Sequence, residues 1–124
     1  WTNTCCTHPH WGEDDMDCAE RRLVEEMGIR DLPLQHVGQI EYRADVGDGM
    51  IEHEVVQVYR ARATGDLPMK LNPREVQDAT WVSLPVLASA IERTPARFTP
   101  WLQIYMREHT GMIFPELAAT GPVA

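Results

Sequence analysis

The sequence predicts an α/β protein, in the broad sense that includes α+β folds, with a mixed β-sheet flanked by helices. Two long strand-like runs, Leu34 to Val46 and Met50 to about Ala63, meet at Gly47-Asp48-Gly49, a glycine-rich hairpin turn. A helical pattern precedes them between Gly12 and Gly28, and two helix starts follow at Pro85 and Pro100. A strand, a helix, a hairpin, a short strand and two helices, in that order, describe a mixed sheet covered by helices. The 124 residues suffice for one such domain, 1–124, and not for a second.

Taken in order, Trp1 to Pro9 alternates with a period of two, which places Thr2, Thr4, Cys6 and His8 on one face of a strand and Cys5 and Thr7 on the other. Pro9 and Gly12 close that strand, and Glu13, Asp14 and Asp15 supply the acidic first turn favoured by a helix N-terminus. In the helix that follows, Met16, Ala19, Leu23 and Met27 form the apolar stripe. Glu26 sits at its edge, one turn from Arg22, and Gly28 is placed to end the helix with a positive φ.

In the return strand Met50, Glu52, Glu54, Val56 and Val58 share one face, and Ile51, His53, Val55 and Tyr59 share the other. Both faces are largely apolar, as expected for a strand covered on two sides, so Glu52 and Glu54 need cationic company. A short strand is expected over Thr80 to Leu84 and a helix from Pro85 to about Arg93. A further helix starts with Thr99 as N-cap and Pro100 at its first position, ends near Gly111, and leaves a frayed tail over 114–124.

The net charge of −8 argues against a nucleic-acid partner, and means that an anionic ligand has to be held by local cations or bound metal ions. No apolar run approaches the length of a membrane span, so no membrane insertion is expected. Three cysteines, two of them adjacent, make no disulfide framework and suit reduced thiols in the cytoplasm. A chain that opens on Trp1, inside a strand-like run, is expected to be N-terminally incomplete.

The chemistry concentrates in two stretches. Cys6 and His8 look the same way from the first, while Glu52 and Glu54 lie roughly 6–7 Å apart on one face of the second, close enough to share an ion. Taken singly, each has an ordinary structural reading: a core thiol, a satisfied histidine, a solvated strand face. His53-Glu54 does not begin a zinc-protease motif, which requires a histidine where Gln57 stands.

The stretch from Thr7 to Ile29 resembles the Nudix box, with Glu13, Arg21, Leu23, Glu25, Glu26, Gly28 and Ile29 at matching positions. Two positions depart from it: Thr7 stands where glycine is usual, and Arg22 where the central acidic residue belongs. Replacing a metal-binding carboxylate with a cation disfavours hydrolysis. An altered box flanked by WTNTCCTHP upstream and Glu52-His53-Glu54 downstream resembles the type I isopentenyl-diphosphate isomerases, Nudix relatives that do not hydrolyse their diphosphate. The likeness extends through Tyr42 and Phe98-Thr99-Pro100-Trp101.

That resemblance implies a Nudix-like fold and an isomerase converting isopentenyl to dimethylallyl diphosphate, a small-molecule isoprenoid substrate, through a tertiary carbocation. It implies Cys6, Glu54, Tyr42 and Trp101 as catalytic residues, Arg22 and Trp101 as substrate contacts, and His8, Glu52, Glu54 and Glu26 as metal ligands. A transition metal, Mn or Zn, is expected at the His/Glu set, and Mg at Glu26 with the diphosphate. Further histidines and basic residues are expected upstream of the WTN motif, so this chain alone is not expected to be the complete enzyme. The alternatives are a Nudix hydrolase of a nucleoside diphosphate derivative and a non-catalytic Nudix-fold binding module.

Overall fold

The structure, a computed structural model, describes residues 1–116; the part of the expected tail that falls on 117–124 lies outside the described residues. Helix α1 (Asp15–Arg22) starts where Asp14, in extended conformation, accepts hydrogen bonds from the backbone N–H groups of Met16 and Asp17 at 3.1 and 3.4 Å. It passes without a break into a π-helical turn, Leu23–Met27, and Gly28 ends it at φ 63°. The extra residue in that turn rotates everything after it relative to a straight helix. Cys18, outside the expected stripe, is buried with Met27, whereas Met16, Ala19 and Leu23 are half-buried.

Strands β1 (Gln35–Gly47) and β2 (Met50–Arg60) form an antiparallel hairpin whose tip, Asp48-Gly49, has both residues at positive φ, as a two-residue turn of matching twist demands. The register opposes Tyr42 to Glu54, Ala44 to Glu52 and Ile40 to Val56. Ile40, Tyr42 and Ala44 are buried on the inward face. After a loop come α2 (Leu84–Arg93), capped by Ser83, then α3 (Pro100–Glu108), capped by Thr99, and α4 (Thr110–Ile113). Tyr105 of α3 joins Ile40, Tyr42 and Ala44 in one core cluster, against which Val56, Val58, Trp101, Ile104, Met112 and Ile113 pack. Thus α3 and α4 cover the inward side of the hairpin and bring Trp101 and Tyr105 beside β1.

Four expectations are corrected. Trp1 to Pro9 is not a strand: it pairs with no ladder and is pinned at its start, where the Trp1 amino group donates to the Arg97 carbonyl at 2.6 Å and the Thr99 N–H to the Trp1 carbonyl at 2.9 Å. The Asn3 side chain also donates to the Cys5 carbonyl at 3.0 Å, a local bond that competes with sheet pairing. Thr80 to Leu84 is likewise no strand, because Ser83 is spent as the N-cap of α2. Among the described residues the sheet is therefore the antiparallel pair β1–β2. Finally, only one side of β2 is covered, since Ile51 and Val55 are each 56% exposed. No helix among the described residues is long and apolar enough to cross a membrane.

Candidate active site

The site is built where the N-terminal segment crosses the inward face of the hairpin. His8 Nε2 lies 3.1 Å from Glu54 Oε1, and the Tyr42 hydroxyl donates to Glu52 Oε1 at 3.2 Å. Glu52 is raised above the ordinary carboxylate range, chiefly because it shares a hydrogen bond with Glu54 and is partly desolvated. Tyr42, 4% exposed, is raised by burial and then by the negative charge of its neighbours, so it stays a neutral donor.

Cys6 lies among the same groups. Cys6 is solvent-exposed at its surface, and partial desolvation first, then the charges of Glu54, Glu52 and Glu26, raise its thiol. Cys5 is not on an opposite face: its Sγ donates to Glu26 Oε2 at 2.6 Å, and burial and that hydrogen bond raise it further than Cys6. Without strand alternation both cysteines turn toward carboxylates. Cys5 is a site residue that period-2 reasoning placed elsewhere.

Glu26 is presented by the π-helical turn. From outside, the Asn72 N–H donates to the Glu26 carbonyl and the Lys70 N–H to the Met27 carbonyl, both at 2.9 Å. Arg22 donates to Glu25 at 2.7 Å and to both oxygens of Glu75 at 2.8 Å, while its buried Nε makes no hydrogen bond and lies 3.5 Å from Glu26 Oε2. The guanidinium expected to meet a diphosphate is thus enclosed by Glu25, Glu26 and Glu75. The Glu75 partnership spans 53 residues and carries no local sequence signal.

Arg21 continues the chain, gripping Glu13 through two bonds at 2.7 and 2.9 Å and Glu25 at 2.9 Å. Arg21 first, and the backbone N–H of His10 second, lower Glu13 to about 2. A carboxyl depressed on folding contributes stability that is present above its unfolded value, about 4.3, and is lost as pH falls toward 2. Glu13→Gln should therefore flatten the fall of stability between about pH 4.5 and 2, read by denaturant unfolding at stepped pH; an unchanged acid limb would exclude this linkage.

At the mouth of the site the Trp101 Nε1–H donates to Thr2 Oγ1 at 3.0 Å, and the Thr99 hydroxyl donates to the same atom at 3.1 Å. The N-terminal segment and α3 are thereby stitched together, with the Trp101 ring on the core cluster. Tyr105, one turn further on and 7% exposed, meets the Tyr42 ring edge to face with centroids 5.9 Å apart. Its spacing of four from Trp101 was the signal available in the sequence.

An imidazole and two carboxylates are donors suited to a divalent ion. The arrangement is not: among the described residues no group of three or more His, Cys, Asp or Glu side chains is placed to hold one, and the contact of His8 with Glu54 fills the space between them. His8, Glu52 and Glu54 come together as a hydrogen-bonded row rather than as a cage.

Residues 1–102 match the NUDIX domain. The protein named isopentenyl-diphosphate Delta-isomerase in Rhodobacter capsulatus is 56% identical over 119 residues, covering 96% of this chain and 68% of its own length. The chain belongs to the isopentenyl-diphosphate Delta-isomerases of the Nudix family. The isomerase of Dinoroseobacter shibae is 52% identical over 97% of the chain and 68% of its own length, and that of Jannaschia sp. 49% identical over 92% and 65%. The chain spans about two thirds of the length of the curated isomerases it matches.

Proposed function

We propose that the full-length protein interconverts isopentenyl and dimethylallyl diphosphate, with this chain supplying the proton-transfer centre. The single observation that carries this reading is the pairing of Glu54 with His8 and of Glu52 with the buried Tyr42, beside the cluster on which Trp101 packs, with Cys6 near enough for both carboxylates to act on its thiol. Glu54 gives a proton to the terminal alkene carbon, leaving a tertiary carbocation. Cys6 Sγ takes the allylic proton while its own passes to Glu54, so both groups are restored and no solvent proton is consumed. Tyr42 orients Glu52 by donating to it, which by itself favours the ionised carboxylate and opposes the upward pull of Glu54 and burial. A Trp101 ring facing the cation contributes about 2 kcal/mol or more once water is excluded.

The donor types would suit a divalent ion only after the hydrogen-bonded row opens: His8, Glu52 and Glu54 would then hold Mn or Zn, and Glu26 would hold Mg with the diphosphate. Entry at the row requires His8 to release Glu54, and no step above is assigned to either ion. Arg22 meets the diphosphate only if its ion pairs open, so we give it the task of orienting Glu26. Residues 1–124 act as one domain in the cytoplasm, where the three free thiols stay reduced, and the acidic chain takes no nucleic-acid partner.

The test is incubation of the full-length protein with isopentenyl diphosphate and a divalent ion. Dimethylallyl diphosphate is the expected product. Released phosphate would instead favour a hydrolase, and no turnover a binding module.

A further inference from the structure

We propose that Tyr105 is a positioning residue of the isomerase reaction, whose ring fixes the direction in which the Tyr42 phenol meets Glu52; this rests on the reading just given. Tyr42 approaches the carboxylate pair from β1, directly opposite Glu54 in the register, with its hydroxyl on Glu52 at 3.2 Å. The hydroxyl oxygen of a tyrosine lies on the axis of its second side-chain torsion, so a neighbour that bears on the ring sets the plane in which the O–H points, and with it the aim of the hydrogen bond. Here the neighbour is Tyr105, at an interplanar angle of 84° and a centroid separation of 5.9 Å, the edge-to-face geometry that aromatic pairs prefer. Both rings are almost wholly buried in the cluster with Ile40 and Ala44.

The placement of Tyr105 reaches the reacting groups as well. It sits on α3 one turn beyond Trp101, and its hydroxyl lies close enough to Cys6, Glu54 and Glu52 that, after burial, their charge raises it. One helix face thus carries the ring proposed to face the carbocation and the ring that steers the partner of the carboxylate pair. A hydrogen bond weakens steeply as its donor turns away from the acceptor, so the orientation of the Tyr42 ring governs how firmly Glu52 is aimed at the reacting centre.

The experiment compares Tyr105→Phe and Tyr105→Leu in the full-length protein, at a temperature well below both melting points. Phe keeps the ring and should hold kcat within about twofold of the parent. Leu should lower kcat about tenfold or more with KM within about twofold. In a Tyr42→Phe background the Leu substitution should cost nothing further, since there is no phenol left to steer. Equal kcat for Leu and parent, or a Leu loss that persists in that background, would overturn the proposal.

A second readout does not depend on turnover. In protein carrying 13C-labelled tyrosine, the Tyr42 ring signals should keep their shifts in Tyr105→Phe and move in Tyr105→Leu. Unmoved signals in the Leu variant would overturn the positioning role whatever the activity. Absence of isomerisation by the parent would overturn the functional reading alone.

Discussion

Glu54→Gln in the full-length protein is expected to lower kcat/KM for isopentenyl diphosphate by about 10²–10⁴-fold, the range that a positioned general acid spans. The substitution keeps the size of the side chain and a hydrogen-bonding oxygen for His8, which Glu54 now meets at 3.1 Å, but removes the exchangeable acid proton. It also leaves Glu52 without the partner that raises it, so Glu52 should return toward an ordinary carboxylate. Folding should survive, because the Glu54 side chain lies at the edge of the core cluster rather than in it. Steady-state kinetics with product analysis is the check, and a variant retaining a tenth or more of parental kcat/KM would remove Glu54 from the acid role.

The neighbouring cysteines sharpen the same point. Cys6→Ala should abolish isomerisation, whereas Cys5→Ala removes a 2.6 Å hydrogen bond to Glu26 and should cost chiefly stability and the placement of that carboxylate.

Gly28→Ala should be the most damaging conservative change to the fold. At φ 63° an alanine is already strained, and a Cβ built there would lie 2.5 Å from the Lys70 carbonyl oxygen and 2.7 Å from its Cβ and N. These are mostly backbone atoms, so the 70–72 segment must move away as a piece. That motion breaks the Lys70 to Met27 and Asn72 to Glu26 hydrogen bonds that hold the π-helical turn. Left-handed strain and overpacking together should cost about 2–5 kcal/mol, a fall in Tm on the order of 10 °C. Thermal unfolding of parent and variant measures it, and a loss below about 1 kcal/mol would mean that the segment yields freely.

Local signals carried the helices and the hairpin. Asp48-Gly49 and Thr99 before Pro100 each fix a backbone conformation through their own chemistry, and the structure places a turn and a cap there, whereas Ser83, expected in a strand, caps α2 instead. The box helix was legible for a related reason, its end being set by Gly28. Period-2 alternation misled at Trp1 to Pro9, because alternation becomes a strand only where a partner edge is available and this segment is tied instead to Arg97 and Thr99. Cys5 was lost with it.

The candidate site was legible as a residue set, since Cys6, His8, Glu26, Tyr42, Glu52, Glu54 and Trp101 stand at the positions of a resemblance. Their partners were not. Glu75 reaches Arg22 across 53 residues, and Tyr105 reaches Tyr42 only because α3 lies on β1. Contacts of that kind depend on the tertiary arrangement, and no window of sequence encodes them.

In the proposed reaction Cys6, and neither Cys5 nor Cys18, is the thiol at the reacting centre. Treating the full-length protein with an epoxide analogue of isopentenyl diphosphate, then mapping the adduct by peptide mass spectrometry, measures this directly. Protonation of the epoxide oxygen by the carboxylate pair opens the ring, the sulfur within reach takes the carbon, and the thiol proton passes to the carboxylate just vacated. One adduct on Cys6, prevented by excess substrate and absent in Glu54→Gln, is the expected result; an adduct on Cys5 or Cys18 in its place would contradict it.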